Sequence, residues 1–211
     1  MSTWLLAFLL SISQCPGEGQ LLLGNFSNCV KNGLPCDWEK YKSASGVHLE
    51  QDSLGYFVNI KSHEDIQGMS RRIRFDVKDY SKLKWRWKVH VFPDSARENI
   101  KKKNDCAAGI YVAFKGFYPF NHVIKYTWSA TLPVGAMLPS PHNGNAMVFV
   151  LRSGPANSDE WISEKRDIAS DYQKAFGSPA PLVEGVALQT DSDNTKSCSS
   201  ADYAEIIASK E

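Results

Sequence analysis

Between Leu83 and Val91 the chain alternates without a break, with Leu83, Trp85, Trp87, Val89 and Val91 on one face and Lys84, Arg86, Lys88 and His90 on the other. Successive side chains of a β-strand point to opposite sides, so this period of two specifies a strand with one dry face and one wet face. A strand with two tryptophans on its dry face needs a second apolar layer against it, and Trp85 and Trp87 are therefore read as core. Pro93 and Asp94 end the run.

Other segments repeat the signal. Val47 to Glu50 and Tyr56 to Lys61, separated by Asp52, Ser53 and Gly55, read as a hairpin. Met69 to Val77 reads as a strand whose Arg71, Arg72 and Arg74 imply one wet face. Cys106 to Phe114 and His122 to Trp128 follow, the second with Ile124, Tyr126 and Trp128 on a shared face. Ala146 to Leu151 is apolar on both faces, as in a strand covered on both sides. One helix is predicted, capped by Ser170 with Gln173 at the capping-box position, and stopped by Gly177, Pro179 and Pro181. Many short strands and one late helix predict an all-β fold, an antiparallel β-sandwich of the jelly-roll or galactose-binding kind. At 211 residues the chain can build such a core in one domain, placed at residues 20–211.

Residues 1–19 read as an export leader: Trp4 to Leu10 are apolar, and Ser11 and Ser13 precede a cut before Gln14. The run is far below the ~20 residues that span a bilayer, so no transmembrane span is expected. Cys15, just beyond it, offers a lipid anchor as the alternative fate. Both fates put the protein outside the cytoplasm, secreted, periplasmic or in the cell envelope. Cys29, Cys36, Cys106 and Cys198 then remain, an even number that suits an oxidising compartment. The favoured pairing joins Cys29 to Cys36 around Asn32, Gly33 and Pro35, and Cys106 to Cys198. With 24 basic and 23 acidic residues the net charge is +1, which excludes the basic excess that nucleic-acid binding requires.

Several separated motifs resemble those of one family. They are Trp85-Arg86-Trp87-Lys88, Asn104-Asp105-Cys106-Ala107-Ala108, Tyr126-Thr127-Trp128, and Glu164-Lys165-Arg166-Asp167-Ile168 before Asp171-Tyr172. Thr190-Asp191-Ser192-Asp193-Asn194-Thr195 and Ala201-Asp202-Tyr203-Ala204-Glu205-Ile206 complete the set. Their order and spacing resemble the bacterial domain-of-unknown-function family three thousand and forty-seven. The resemblance implies an exported or envelope protein with a jelly-roll-like sandwich similar to carbohydrate-binding modules, and it implies no established activity. Asn104-Asp105 stands where that family has paired aspartates, and Cys106 and Cys198 lie outside its pattern.

Three constellations can carry chemistry. The loop from Asp191 to Thr195 holds two carboxylates, an amide and two hydroxyls. Calcium takes about six to eight oxygen ligands, and Asp105, Asp191, Asp193 and Asn194 are candidate ligands for a structural ion. The same residues serve equally as Asx and Ser/Thr turns, and the spacing is not that of an EF-hand. Second, the wet face with Lys84, Arg86, Lys88 and His90, joined by Lys125 and Arg152 from neighbouring strands, can hold an anionic glycan. Tyr126 and Trp128 would stack on its rings, with Trp161 and Tyr118 at the rim, against the alternative of an ordinary solvated face.

Third, Arg86, His90 and Tyr126 have the chemistry of a polysaccharide lyase, supplying cation, base and acid. A glycosidase would need two opposed carboxylates, and Glu160, Glu164, Asp105 and Glu205 qualify by type with nothing pairing them. There is no nucleophile elbow, His-Glu-x-x-His helix or phosphate loop. The expected function is a non-catalytic carbohydrate-binding domain with a polysaccharide partner. The alternatives are a lyase or glycoside hydrolase on the same scaffold, and a structural envelope protein.

Overall fold

A computed structural model describes residues 19–211 except 25, 27, 28, 118 and 119. The leader, Cys15 and Tyr118 thus lie outside the described residues. The strands are β1 (Gln20–Gly24), β2 (Val30–Lys31), β3 (Leu34–Pro35), β4 (Glu39–Lys40), β5 (Val47–Asp52), β6 (Gly55–His63), β7 (Ile66–Phe75) and β8 (Lys82–Val91). A 3-10 turn (Lys101–Lys103) precedes β9 (Cys106–Phe117), β10 (Phe120–Ser129), β11 (Met137–Pro139), β12 (Ala146–Ser153) and β13 (Ile162–Asp167). Helix α1 (Ile168–Phe176), β14 (Val183–Asp191) and β15 (Cys198–Ser209) complete the order. No helix among the described residues is long and apolar enough to cross a membrane.

Two sheets form the β-sandwich. One has six strands in the order β13-β8-β15-β6-β5, with β1 also on β15; the other has seven, in the order β11-β12-β10-β9-β14-β7-β4. All named pairings are antiparallel except β10 with β12. From β4 onward the chain crosses between these sheets at β4–β5, β6–β7, β7–β8, β8–β9, β12–β13, β13–β14 and β14–β15, so the two strands flanking the acidic loop belong to different layers.

The alternation of β8 appears as read from Leu83 to His90, with Leu83, Trp85, Trp87 and Val89 buried and Lys84, Arg86, Lys88 and His90 only half-buried, but Val91 at the strand's end is exposed. Across the sandwich Trp85 meets Tyr126 with centroids 5.4 Å apart, and Trp87 meets Trp128 at 5.9 Å. Ile110, Val112 and Phe114 of β9, Leu188 of β14 and Tyr203 of β15 complete this interior. Each such side chain contributes roughly 1.5–3 kcal/mol by leaving water, enough for the pattern of apolar faces to dictate the layers.

Two details differ from the sequence reading. The polar Ile162–Asp167 forms edge strand β13, where charge on a half-covered edge is tolerated. The helix begins at Ile168 and its cap lies three residues before Ser170: the Asp167 carboxylate accepts from Ser170 N at 2.9 Å, and Gly177 closes the helix in the left-handed conformation at φ 73°. Tyr172 of α1 packs on Phe114 at 4.7 Å, so the helix joins one edge of the six-stranded sheet to the core of the other.

Candidate functional site

The acidic loop folds back on Asp105, because β9 and β14 are neighbours and Asp191 pairs with Cys106. Asp105 Oδ1 accepts from Asn194 N at 3.1 Å and Nδ2 at 3.0 Å, and Oδ2 accepts from Thr195 N at 2.7 Å and Oγ1 at 2.6 Å. A carboxylate has about four lone-pair sites, and these four donors occupy them. Asp105, Asp191 and Asp193 each place an oxygen within 4.8 Å of the others. Burial pushes the Asp191 carboxyl up to about 7; Lys125 opposes the rise, and the charges of Asp105 and Asp193 add to it. Three of the four predicted metal ligands, the carboxylates, therefore converge, whereas Asn194 turns its amide nitrogen to Asp105 and Asp193, and the bonds among them make a turn lock. A cation would be held by Asp191 and Asp193, with Asp105 joining only by surrendering donors.

The six residues predicted to bind a glycan do not form one face. Arg86, Lys88 and His90 lie on the outer side of the six-stranded sheet, and each is answered by a carboxylate. Arg86 makes a two-pronged pair with Glu205 at 2.8 and 3.0 Å, and Lys88 meets Asp202 at 3.0 Å. Burial works against the Asp202 carboxylate, but hydrogen bonds from His90, Asn59 and Lys88 outweigh it and hold its pKa below the ordinary value. His90 is raised in turn, first by Asp202 and then, against burial, by Asp159. Trp161, anchored by Nε1 to Asp52 Oδ2 at 3.0 Å, lies against both cations, 5.0 Å from Arg86 and 4.8 Å from Lys88. Arg86, Lys88 and His90 are thus each compensated on this face, whereas Lys84 forms no ion pair among the described residues.

Tyr126 and Trp128 are corrections: both have no exposed surface, because the face they share on β10 is the inward one. Tyr126 donates to Asp171 Oδ2 at 2.7 Å and Trp128 Nε1 to Gly154 O at 3.0 Å, so neither can stack on a sugar. The lyase triad of Arg86, His90 and Tyr126 dissolves with them. The candidate glycosidase carboxylates are dispersed, Glu205 on Arg86, Glu164 on Arg152 and Glu160 on Asn157.

Of the cysteines, Cys29 and Cys36 are bonded, as expected. Cys106 and Cys198 are free thiols, a second correction. Cys106 is buried at the start of β9 in one sheet, whereas Cys198 opens β15 in the other and is exposed, with Sγ 3.1 Å from His63 Nδ1. The crossing between layers carries them apart.

Lys125 points to the opposite side of the molecule, the outer face of the seven-stranded sheet. It is buried there, with Nζ 5.4 Å from the Tyr111 ring that it faces across the β9–β10 pair. Burial opposes its charge, but the acidic groups around it, Cys106, Tyr111, Glu98 and Asp191, hold its pKa above the ordinary value. A Cβ on Gly109 would stand 3.2 Å from Tyr111, 3.3 Å from Lys125 and 3.4 Å from Cys106, so the missing side chain leaves the room in which these three meet.

Beside this cluster runs an open groove of about 930 Å³. Ala113, Gly185 and Ala187 line it, small residues whose neighbours Val112, Val186 and Leu188 point into the core. Tyr41 and Tyr111 supply aromatic surface, and Arg72, Arg74, Asn121 and Glu184 supply polar groups. The wet face inferred from Arg71, Arg72 and Arg74 was one sign of this groove in the sequence. Arg71 itself is tied to Leu22 O and Leu23 O at 3.1 and 2.6 Å. The two tyrosines come from distant segments, and only the small-large alternation of Gly185-Val186-Ala187-Leu188 hints that one face of β14 has room above it.

No curated protein matches the chain. Among solved structures, a family 30 carbohydrate-binding module of a cellulosomal cellulase from Clostridium thermocellum aligns with a TM-score of 0.46 and 7% identity, over 91% of this chain and 98% of that one. The xyloglucanase domain of NopAA from Sinorhizobium fredii aligns at 0.45 with 11% identity, over 82% of this chain and 94% of its own. Likenesses this distant assign no site. The model of a family of proteins of unknown function, DUF3047, matches residues 35–207, most of the chain, and the protein belongs to that family.

Proposed function

We propose that the protein binds a polysaccharide along the groove of the seven-stranded sheet and does so without turnover. The observation that carries this reading is a floor of Ala113, Gly185 and Ala187 beside two tyrosine rings and polar groups at the walls. Sugar rings present apolar faces that stack on aromatics and hydroxyls that seek amide, carboxylate and guanidinium partners. Hydrolysis of a glycosidic bond ordinarily takes two carboxylates, and among the described lining residues Glu184 is the sole one. Tyr111 is a poor general base, since burial raises its pKa well above the ordinary value. The Cys29–Cys36 bond suits an oxidising compartment and supports a secreted or envelope location.

Affinity electrophoresis through gels containing individual polysaccharides tests the reading. Tyr41→Ala and Tyr111→Ala should each weaken retardation about tenfold, as loss of an aromatic anchor does. New ultraviolet-absorbing unsaturated ends would reveal a lyase, and new reducing ends a hydrolase. Retardation by no polysaccharide would leave the structural envelope role.

A further inference from the structure

The arginines of the two outer faces differ in whether they are paired. On the six-stranded sheet Arg86, Lys88 and His90 are each neutralised by a carboxylate of the same face. On the groove side Arg71 is spoken for by Asp37 and two backbone carbonyls, but Arg72 and Arg74 form no ion pair among the described residues and are exposed. They stand two residues apart on β7, so they project from one face about 7 Å from each other. Opposing them in the groove is Glu184, which takes the Asn121 amide at 3.5 Å. With Arg71 already paired, the groove lining holds two unpaired guanidiniums, Arg72 and Arg74, against the single carboxylate of Glu184.

Resting on the polysaccharide reading, we infer that the groove selects an acidic polymer, a chain of uronate sugars whose carboxylates pair with Arg72 and Arg74 while its rings lie on Tyr41 and Tyr111. A guanidinium is planar and offers paired donors that match a carboxylate, and on a rigid strand the two forks are set in a fixed row. A polymer with repeated carboxylates meets both at once, whereas a neutral glycan would leave two cations without partners. A row of only two arginines supplies too little charge to hold a nucleic acid, whose binding rests on many phosphate contacts.

The test uses polygalacturonate, the same polymer after carboxyl reduction, and a single-stranded oligonucleotide, with the full chain in calorimetric titrations. Expected is binding to polygalacturonate that weakens with salt, falls at least about tenfold in the Arg72→Ala/Arg74→Ala double variant, and is only partly restored by lysines at both positions, which keep charge without the fork. Melting curves confirm that these exposed substitutions leave the fold intact. Equal binding of the carboxyl-reduced polymer, or an unaffected double variant, overturns the acidic specificity while leaving the polysaccharide reading standing. Binding to neither polymer overturns the acidic specificity, and the polysaccharide reading falls with it when the gel panel also shows no retardation; tighter binding to the oligonucleotide overturns the inference in favour of nucleic acid.

Discussion

His90 meets Asp202 through Nε2 at 2.9 Å while its Nδ1 meets Asp159 at 2.5 Å, so both ring nitrogens face carboxylates. An imidazole that donates from both nitrogens is the charged form. The raised pKa of His90 means that its contribution is complete below its ordinary value of 6.5 and fades as pH climbs through the folded value. The lowered pKa of Asp202 works the other way, its contribution being complete above 3.8 and lost as acid takes the pH through the folded value. Together they favour the fold most between those limits. His90→Gln should cost about 1–3 kcal/mol at pH 5 and much less at pH 8. Urea unfolding at the two pH values measures this, and an equal loss at both would remove the imidazolium from the account.

Asp105 is the acceptor for four donors of the 194–195 turn. Asp105→Ala should therefore destabilise the protein by about 3 kcal/mol or more, seen as a lower melting temperature, because buried donors lose their partners. Calcium held by Asp191 and Asp193 is a separate proposal for the same loop. If the ion is resident, a chelator lowers the melting temperature of the parent and added calcium restores it. A melting curve that neither reagent moves disposes of the calcium and leaves the hydrogen-bonded lock.

The thiols differ in access. Cys198 is exposed and should react promptly with a thiol reagent in the native protein, whereas buried Cys106 should react only on unfolding. Its thiol is also pushed up to about 11 by burial, which suppresses the reactive thiolate. Stoichiometry of labelling before and after denaturant checks this. Reduction of Cys29–Cys36, which closes a loop of separation 7, should cost about 2–3 kcal/mol.

Tyr126 joins the core to the Arg166–Asp171 pair, since Asp171 accepts from Tyr126 at 2.7 Å and from Arg166 at 2.9 and 2.5 Å. Tyr126→Phe should destabilise by about 1–2 kcal/mol and leave polysaccharide binding unchanged. A variant of native stability with lost binding would return Tyr126 to the ligand site.

The period of two in Leu83–Val91 was legible because it is local: pleating sends alternate residues to opposite sides whatever the strand packs against. The hairpin of β5 and β6 and the close of α1 at Gly177 were legible for the same reason, being decided within a few residues. Asp105 and the acidic loop also met as expected, since their motifs end on strands that became neighbours.

The sequence by itself determined a β-sandwich with a late helix and which residues of each strand share a face, and it favoured the Cys29–Cys36 bond that the structure forms. For β8 the sequence also told which face turned inward, but for β10 tertiary structure decided it. Tyr126 and Trp128 share a face with Ile124, yet only packing against Trp85 and Trp87 makes that face the core and sends Lys125 to the far side. Sheet order likewise separated Cys106 from Cys198 and brought Tyr41, Arg72, Tyr111 and Gly185 to one groove. Alternation costs nothing beyond the bond geometry of one strand, whereas a site spread over four strands exists only after long-range pairing has chosen their neighbours.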